Sequence, residues 1–133
     1  MAARILIVED NATNLALVEY LLKAAGYEIL AADDGTRGMR MAQESRPDLI
    51  ICDIQLPGMS GYDVLEQIRA DPALKDTPVI ALTAFSMPND RADVLEAGFD
   101  CYLSKPIEPE KFRAQVEAYL DPALRSSASP SDF

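Results

Sequence analysis

The sequence has no histidine and only two cysteines, Cys52 and Cys101, with no Cys-x-x-Cys spacing. Without histidine or clustered thiolates, a zinc site lacks its usual ligands. Isolated cysteines inside apolar runs make no disulfide framework. They read as small buried hydrophobes in a reducing compartment. No apolar run approaches the roughly 20 residues that cross a bilayer. The opening stretch M-A-A-R-I-L-I-V-E-D passes from a short apolar run straight into two acids and shows no cleavage pattern, so it does not read as a signal peptide. Positive charge is scarce: 12 Lys and Arg stand against 22 Asp and Glu, a net charge of −10. A basic stripe is the footprint of nucleic-acid binding, and none is visible. These absences point to a cytoplasmic protein that engages neither nucleic acid nor membrane. Its expected partners are proteins or cations.

What is present is an ordinary globular composition, 133 residues of which 49% are hydrophobic, enough for one domain with a single sizeable core. The informative stretch runs from Asp48 to Gly61, D-L-I-I-C-D-I-Q-L-P-G-M-S-G. Leu49, Ile50, Ile51 and Cys52 form an unbroken apolar run, the pattern of a parallel strand buried on both faces. It ends on Asp53, a group that is costly to bury unless paired. Pro57, Gly58, Ser60 and Gly61 then break regular structure. Asp53 therefore sits where a central strand gives way to a loop, the edge at which open α/β sheets bind ligands.

Similar punctuation recurs along the chain. Arg4 to Val8 is an apolar run followed by Glu9, Asp10 and Asn11. Leu15, Val18, Leu21, Leu22 and Ala25 then repeat at helical spacing, with Asp10 or Asn11 as N-cap and Gly26 as the stop. Tyr27 to Ala32 reads as a short strand, and Asp34-Gly35 opens a helix ending near Ser45. Ser60 or Gly61 starts a third helix on Val64, Leu65 and Ile68, terminated by Asp71-Pro72. Val79 to Leu82 is another buried strand, ending at Thr83-Ala84. Ser86 and Pro88 start a fourth helix, which Gly98 stops. Cys101 to Ser104 is a fifth strand, followed by Lys105-Pro106. Pro109 opens a last helix with Phe112, Val116, Tyr119 and Leu120 on one face. Residues 1–121 form the expected domain. Residues 122–133, rich in Ser and Pro, read as a flexible tail.

Five strands alternating with five helices predict a doubly wound α/β sandwich. Alternation alone does not fix the strand order. If it is the flavodoxin-like 2-1-3-4-5, the order that the resemblance described below implies, the first and third strands are neighbours roughly 4.8 Å apart. Glu9 and Asp10 then end beside Asp53. Three close carboxylates repel one another unless some are protonated or a cation compensates them. Lys105 brings one positive charge to the same edge. A hard divalent ion would complete the balance, and Mg²⁺ suits carboxylates, a carbonyl and waters. Asp10, Asp53 and the Gln55 carbonyl are the candidate direct ligands, with Glu9 acting through water. Beside Mg²⁺, Asp53 can serve as a nucleophile toward phosphate. The Thr83 hydroxyl and the Lys105 ammonium can meet the transferred phosphoryl oxygens. Taken singly, each part has a plainer reading: a helix cap for Glu9-Asp10-Asn11, a strand end for Thr83, a surface Lys105 and a packed Tyr102. The joint pattern at four strand ends is what points to phosphoryl transfer.

The stretches I-L-I-V-E-D-N, D-L-I-I-C-D-I-Q-L-P-G-M-S-G, V-I-A-L-T-A and Y-L-S-K-P resemble the receiver domain of bacterial two-component response regulators, the CheY-like family. Within it they look closest to stand-alone cell-cycle-type receivers and to receivers of hybrid kinases. The resemblance implies that Asp53 is the phospho-acceptor and that Glu9 and Asp10 form the acid pocket for Mg²⁺. It implies that Thr83 and Tyr102 are a switch pair, that Lys105 contacts the phosphoryl group and that the peptide before Pro106 is cis. The implied partners are a histidine kinase or histidine phosphotransfer protein as donor and a downstream protein as target. Asn14, Leu15 and Val18, near the acids on the first helix, are candidate donor contacts, although Leu15 and Val18 also fit the core stripe. The alternatives are a receiver excised from a hybrid kinase or larger regulator, and an Mg²⁺-dependent aspartyl phosphatase. The second is disfavoured because Gln55 stands where such an enzyme needs a general acid. The chain is therefore expected to catalyse only its own phosphorylation and dephosphorylation.

Overall fold

The computed structural model describes residues 3–84, 88–120 and 122, and the side chains at 88–91 are not among the described ones. The elements are β1 (Arg4–Val8), α1 (Ala12–Ala24), β2 (Glu28–Ala32), α2 (Gly35–Ser45), β3 (Leu49–Asp53), α3 (Gly61–Ala70), β4 (Val79–Thr83), α4 (Pro88–Ala97), β5 (Cys101–Ser104) and α5 (Pro109–Glu117). The five strands form one parallel sheet in the order β2-β1-β3-β4-β5. The predicted doubly wound α/β sandwich of order 2-1-3-4-5 is what forms.

The two-residue period of a strand explains the layering. Ile5, Ile7, Leu49, Ile51, Ile80 and Leu82 point to one face and meet Val18, Leu22, Phe112 and Val116 from α1 and α5. Leu6, Val8, Ile50, Cys52, Val79 and Ala81 point to the other and meet α2, α3 and α4 through residues such as Met39, Val64, Ile68 and Val94. Every residue of β3 and β4 is buried, as an uninterrupted apolar run requires. Truncating one of these central side chains, such as Ile51, to alanine costs about 2–5 kcal/mol.

The helix ends follow their capping residues. Asn11 Oδ1 accepts from Asn14 N–H and Asp34 Oδ1 from Arg37 N–H. Ser60 and Asp63 cap each other reciprocally at the start of α3. Gly26 ends α1 with φ 97°, a left-handed conformation that a side chain disfavours.

Several expectations shift. β2 begins at Glu28 rather than Tyr27, because the Tyr27 N–H is taken by the Leu22 carbonyl in the turn that closes α1. Tyr119 is not on the packed face of α5. The chain tightens after Glu117 into i→i−3 hydrogen bonds, Leu120 takes the core position and Tyr119 is left 38% exposed. On α1, Val18 is fully buried and belongs to the core, whereas Asn14 and Leu15 are half-buried. Cys52 is buried, but Cys101, on the edge strand β5, is only half-buried. Ser86 and all of the expected tail except Pro122 lie outside the described residues. Among the described residues, no helix is long and apolar enough to cross a membrane.

Candidate functional site

The register of the sheet assembles the acids. Val8 in β1 pairs with Cys52 in β3, so the residues that follow, Glu9 and Asp53, leave the sheet side by side. Glu9 is fully buried and Asp53 nearly so, whereas Asp10 is exposed. One carboxylate oxygen from each of Glu9, Asp10 and Asp53 lies within 4.8 Å of the others.

Main-chain donors and one cation hold the buried pair. Asp53 Oδ1 accepts the Gln55 N–H at 2.9 Å, and Glu9 Oε2 accepts the Asn11 N–H at 3.1 Å. Lys105 Nζ stands 2.8 Å from Asp53 Oδ2 and 2.6 Å from Glu9 Oε1. β5 delivers that lysine: its N–H donates to the Thr83 carbonyl at 2.8 Å, and its side chain is only 15% exposed. The Lys105–Pro106 peptide is cis, as the resemblance implied.

One ammonium against three carboxylates leaves the cluster short of positive charge. Burial pushes the Glu9 carboxyl up to about 7, with help from the hydrogen bond and negative charge of Asp53, while Lys105 and the Asn11 N–H act in the opposite direction. For Lys105 burial disfavours the charged form, but the hydrogen bonds and charges of Asp53 and Glu9 outweigh it and the ammonium is held on. The Cys52 thiol, buried beside both acids, is pushed up and stays protonated, so it is no nucleophile. Glu9 Oε1 is buried and faces the Lys105 ammonium at 2.6 Å without a well-aligned hydrogen bond. An under-satisfied buried oxygen among hard oxygen donors, with no nitrogen or sulfur ligand in the group, fits a hard divalent cation.

The remaining predicted residues lie on the same edge. Thr83 is the last residue of β4, fully buried, and pairs with Ser104 of β5. Tyr102 pairs with Ala81 and is half-buried against the core layer that includes Phe99. Gln55 is exposed in the loop after β3. The structure thus brings Glu9, Asp10, Asp53 and Lys105 into one cluster and sets Thr83 at the neighbouring strand end, two residues from the pairing position of Tyr102. Sequence reasoning missed the two main-chain donors, Asn11 N–H and Gln55 N–H. No residue type signals a peptide N–H, and only the turn geometry after each strand could have suggested them.

Comparison with known proteins adds the family context. The profile of the response regulator receiver domain matches residues 5–117. The polar-differentiation response regulator DivK of Brucella anthropi is 41% identical over 123 residues, covering 92% of this chain and all of that protein. The DivK of Brucella ovis is 40% identical over the same length and coverage. Among solved structures, the chemotaxis response regulator CheY4 of Vibrio cholerae superposes with a TM-score of 0.85 at 31% identity, covering 90% of this chain and all of that one. The receiver domain of a sensor histidine kinase from Pseudomonas aeruginosa, which has a magnesium ion coordinated in its active site cleft, gives 0.82 at 34% identity, covering 90% and 98%.

Proposed function

The chain belongs to the response regulator receiver-domain family, and from that premise we propose that Asp53 is the residue phosphorylated, by a phosphohistidine donor, to switch binding to a downstream protein. The observation that carries this reading is the Asp53 carboxylate itself. It is nearly buried at the end of β3, paired with Lys105 at 2.8 Å and clustered with two more carboxylates.

The step is a phosphoryl transfer between two side chains. A carboxylate oxygen of Asp53 attacks phosphorus, the new O–P bond forms as the P–N bond to the donor imidazole breaks, and the electron pair leaves with the imidazole nitrogen. Gln55 N–H and the Lys105 ammonium orient the carboxylate from its two oxygens. Lys105 and the Thr83 hydroxyl then receive phosphoryl oxygens. Asp10, Asp53 and the Gln55 carbonyl would hold Mg²⁺, with Glu9 reaching it through water. When bound, the ion supplies the positive charge that lets an anionic nucleophile meet an anionic phosphoryl group.

The donor is a histidine kinase or a histidine phosphotransfer protein, and the half-buried Asn14 and Leu15 at the start of α1 lie on the side it must approach. The cytoplasm is the compartment in which such donors present phosphohistidine. Receiver chemistry of this kind modifies only the protein itself. Gln55, two residues after the nucleophile, is not titratable and cannot act as the general acid of a separate phosphatase reaction. The DivK relatives are matched over their whole length, so this chain spans everything those response regulators contain. Residues 1–121 would be the switching unit, with 122–133 as a tail.

A panel of phosphorylated histidine kinases and phosphotransfer proteins tests the reading. One donor should phosphorylate the protein far faster than the rest, and chelating Mg²⁺ should stop the transfer. Slow, equal transfer from every donor, indifferent to chelator, would contradict it.

A further inference from the structure

Gly61 is the first residue of α3, directly after the N-cap Ser60. Its backbone is not in the left-handed region, so conformation does not call for glycine there. Space does. A Cβ on Gly61 would stand 2.4 Å from the carbonyl oxygen of Asp53, 2.7 Å from Ile54 Cα and 3.1 Å from the Asp53 carbonyl carbon. All three are main-chain atoms, with no rotamer that could move them aside. The Gly61 N–H also donates to the Ile54 carbonyl at 2.9 Å. The first turn of α3 is thus pressed against the peptide that follows the proposed acceptor.

Neither side of this contact yields easily. α3 is fixed at its start by the reciprocal Ser60–Asp63 cap and along its length by Val64, Leu65 and Ile68 in the core. On the other side, the Ile54 N–H is bonded to the Leu82 carbonyl at 3.0 Å, and the next residue, Gln55, donates to the Asp53 carboxylate. Relieving a 2.4 Å contact takes a shift of about 1 Å, and a misplacement of that size at a reacting group can cost roughly 100-fold in rate.

We propose that Gly61 is a positioning residue for phosphoryl transfer. By carrying no side chain it lets α3 lie against the Asp53–Ile54 peptide and so fixes where the Asp53 carboxylate and the Gln55 carbonyl stand. The inference rests on Asp53 being the acceptor. It assigns to Gly61 no contact with the phosphoryl group.

The test compares Gly61→Ala with Val64→Ala, one turn further along α3, which loses buried side-chain atoms and adds none against the Asp53 peptide. Phosphoramidate serves as a small donor with a P–N bond, and Mg²⁺ binding is measured separately by calorimetry. Rates are normalised to the folded fraction. If Gly61→Ala is partly unfolded, all variants are assayed in trimethylamine N-oxide, which favours the compact state. Gly61→Ala should lower the maximal phosphorylation rate at least tenfold, leave the half-saturating donor concentration nearly unchanged and weaken Mg²⁺ binding. Val64→Ala should lose stability yet keep both its maximal rate and its Mg²⁺ affinity within about twofold. A normalised Gly61→Ala rate and Mg²⁺ affinity equal to wild type would overturn the inference. So would equal rate losses in the two variants at equal losses of stability. Asp53→Asn accepting phosphate as fast as wild type would instead overturn the acceptor reading, and this inference with it.

Discussion

Glu9 shows most clearly how the site stores electrostatic tension. It is fully buried, shares its cation with Asp53 and has its carboxyl pushed up to about 7 from an ordinary 4.5. Between those values the folded state holds a proton that the unfolded chain has released. The stability Glu9 contributes is therefore complete below about 4.5 and is lost as pH rises through about 7. In metal-free buffer, wild type should lose stability relative to Glu9→Gln between pH 5 and pH 8. Urea unfolding of both proteins across that range measures the difference, and a constant difference would show that the Glu9 charge is already compensated. The residue types at this site were legible in the sequence, because acids after two strands and a lysine after a third have no simpler joint explanation. That Lys105 reaches Glu9 and Asp53 together was not legible, since it depends on how β5 is carried over the end of β4.

At the scale of elements, the strands and helices fell where their apolar periods and breakers placed them. Leu49–Asp53 needed only its unbroken hydrophobic run, and α3 only Ser60 and the stripe behind it. What periodicity did not reveal was backbone geometry. Tyr119 was assigned to a helical face that the chain abandons two residues earlier for a tighter turn. Arg46, which closes α2, adopts φ 48° and ψ 67°, a left-handed conformation that usually belongs to glycine. A non-glycine residue there costs roughly 1–2 kcal/mol, and the Arg46 side chain is exposed and contributes little packing. Arg46→Gly should therefore stabilise the protein by about 1 kcal/mol after the extra unfolded-state entropy of glycine is subtracted. Thermal denaturation should show a rise of about 4 °C, whereas an unchanged or lower midpoint would mean the arginine makes compensating contacts. Gly61 belongs to the same class. The sequence marks it as a helix start, and only the fold shows that a side chain would collide with the Asp53 peptide.

At the scale of the molecule, the question is how a charge at one strand end changes a distant surface. Thr83 and Lys105 are joined through the backbone, and Tyr102 lies three residues before Lys105 along β5, half-buried against the α3–α4 layer. If Thr83 and Tyr102 form the switch pair that the resemblance implies, the Thr83 hydroxyl turns to the phosphoryl group and Tyr102 moves into the space it leaves. The phosphoryl group can shift the protein only by its different affinity for the two arrangements. Thr83→Ala should still form the acyl phosphate but lose most of the phosphorylation-dependent gain in target affinity. Binding of phosphorylated and unphosphorylated protein to the target reads this directly, and a variant that gains affinity as wild type does would exclude the route through Thr83. The layered sheet was legible from alternation alone, but the strand order that sets its edges was not and came only with the resemblance. The half-buried setting of Tyr102 is the default for an aromatic in a sheet, and it holds. The partial exposure of Cys101 was not legible, because a strand at the edge of a sheet carries no sequence mark of how far its neighbours cover it.

The expectations for Thr83 and Gly61 depend on Asp53 accepting the phosphoryl group. The most direct measurement is the intact mass of wild type and Asp53→Asn after exposure to phosphoramidate and Mg²⁺, followed by borohydride reduction and peptide mapping of any modified protein. Wild type should gain one phosphoryl group that maps to Asp53, and Asp53→Asn should gain none. Modification of Asp53→Asn to the same extent as wild type, or a wild-type phosphoryl group mapped to another residue, would contradict the account.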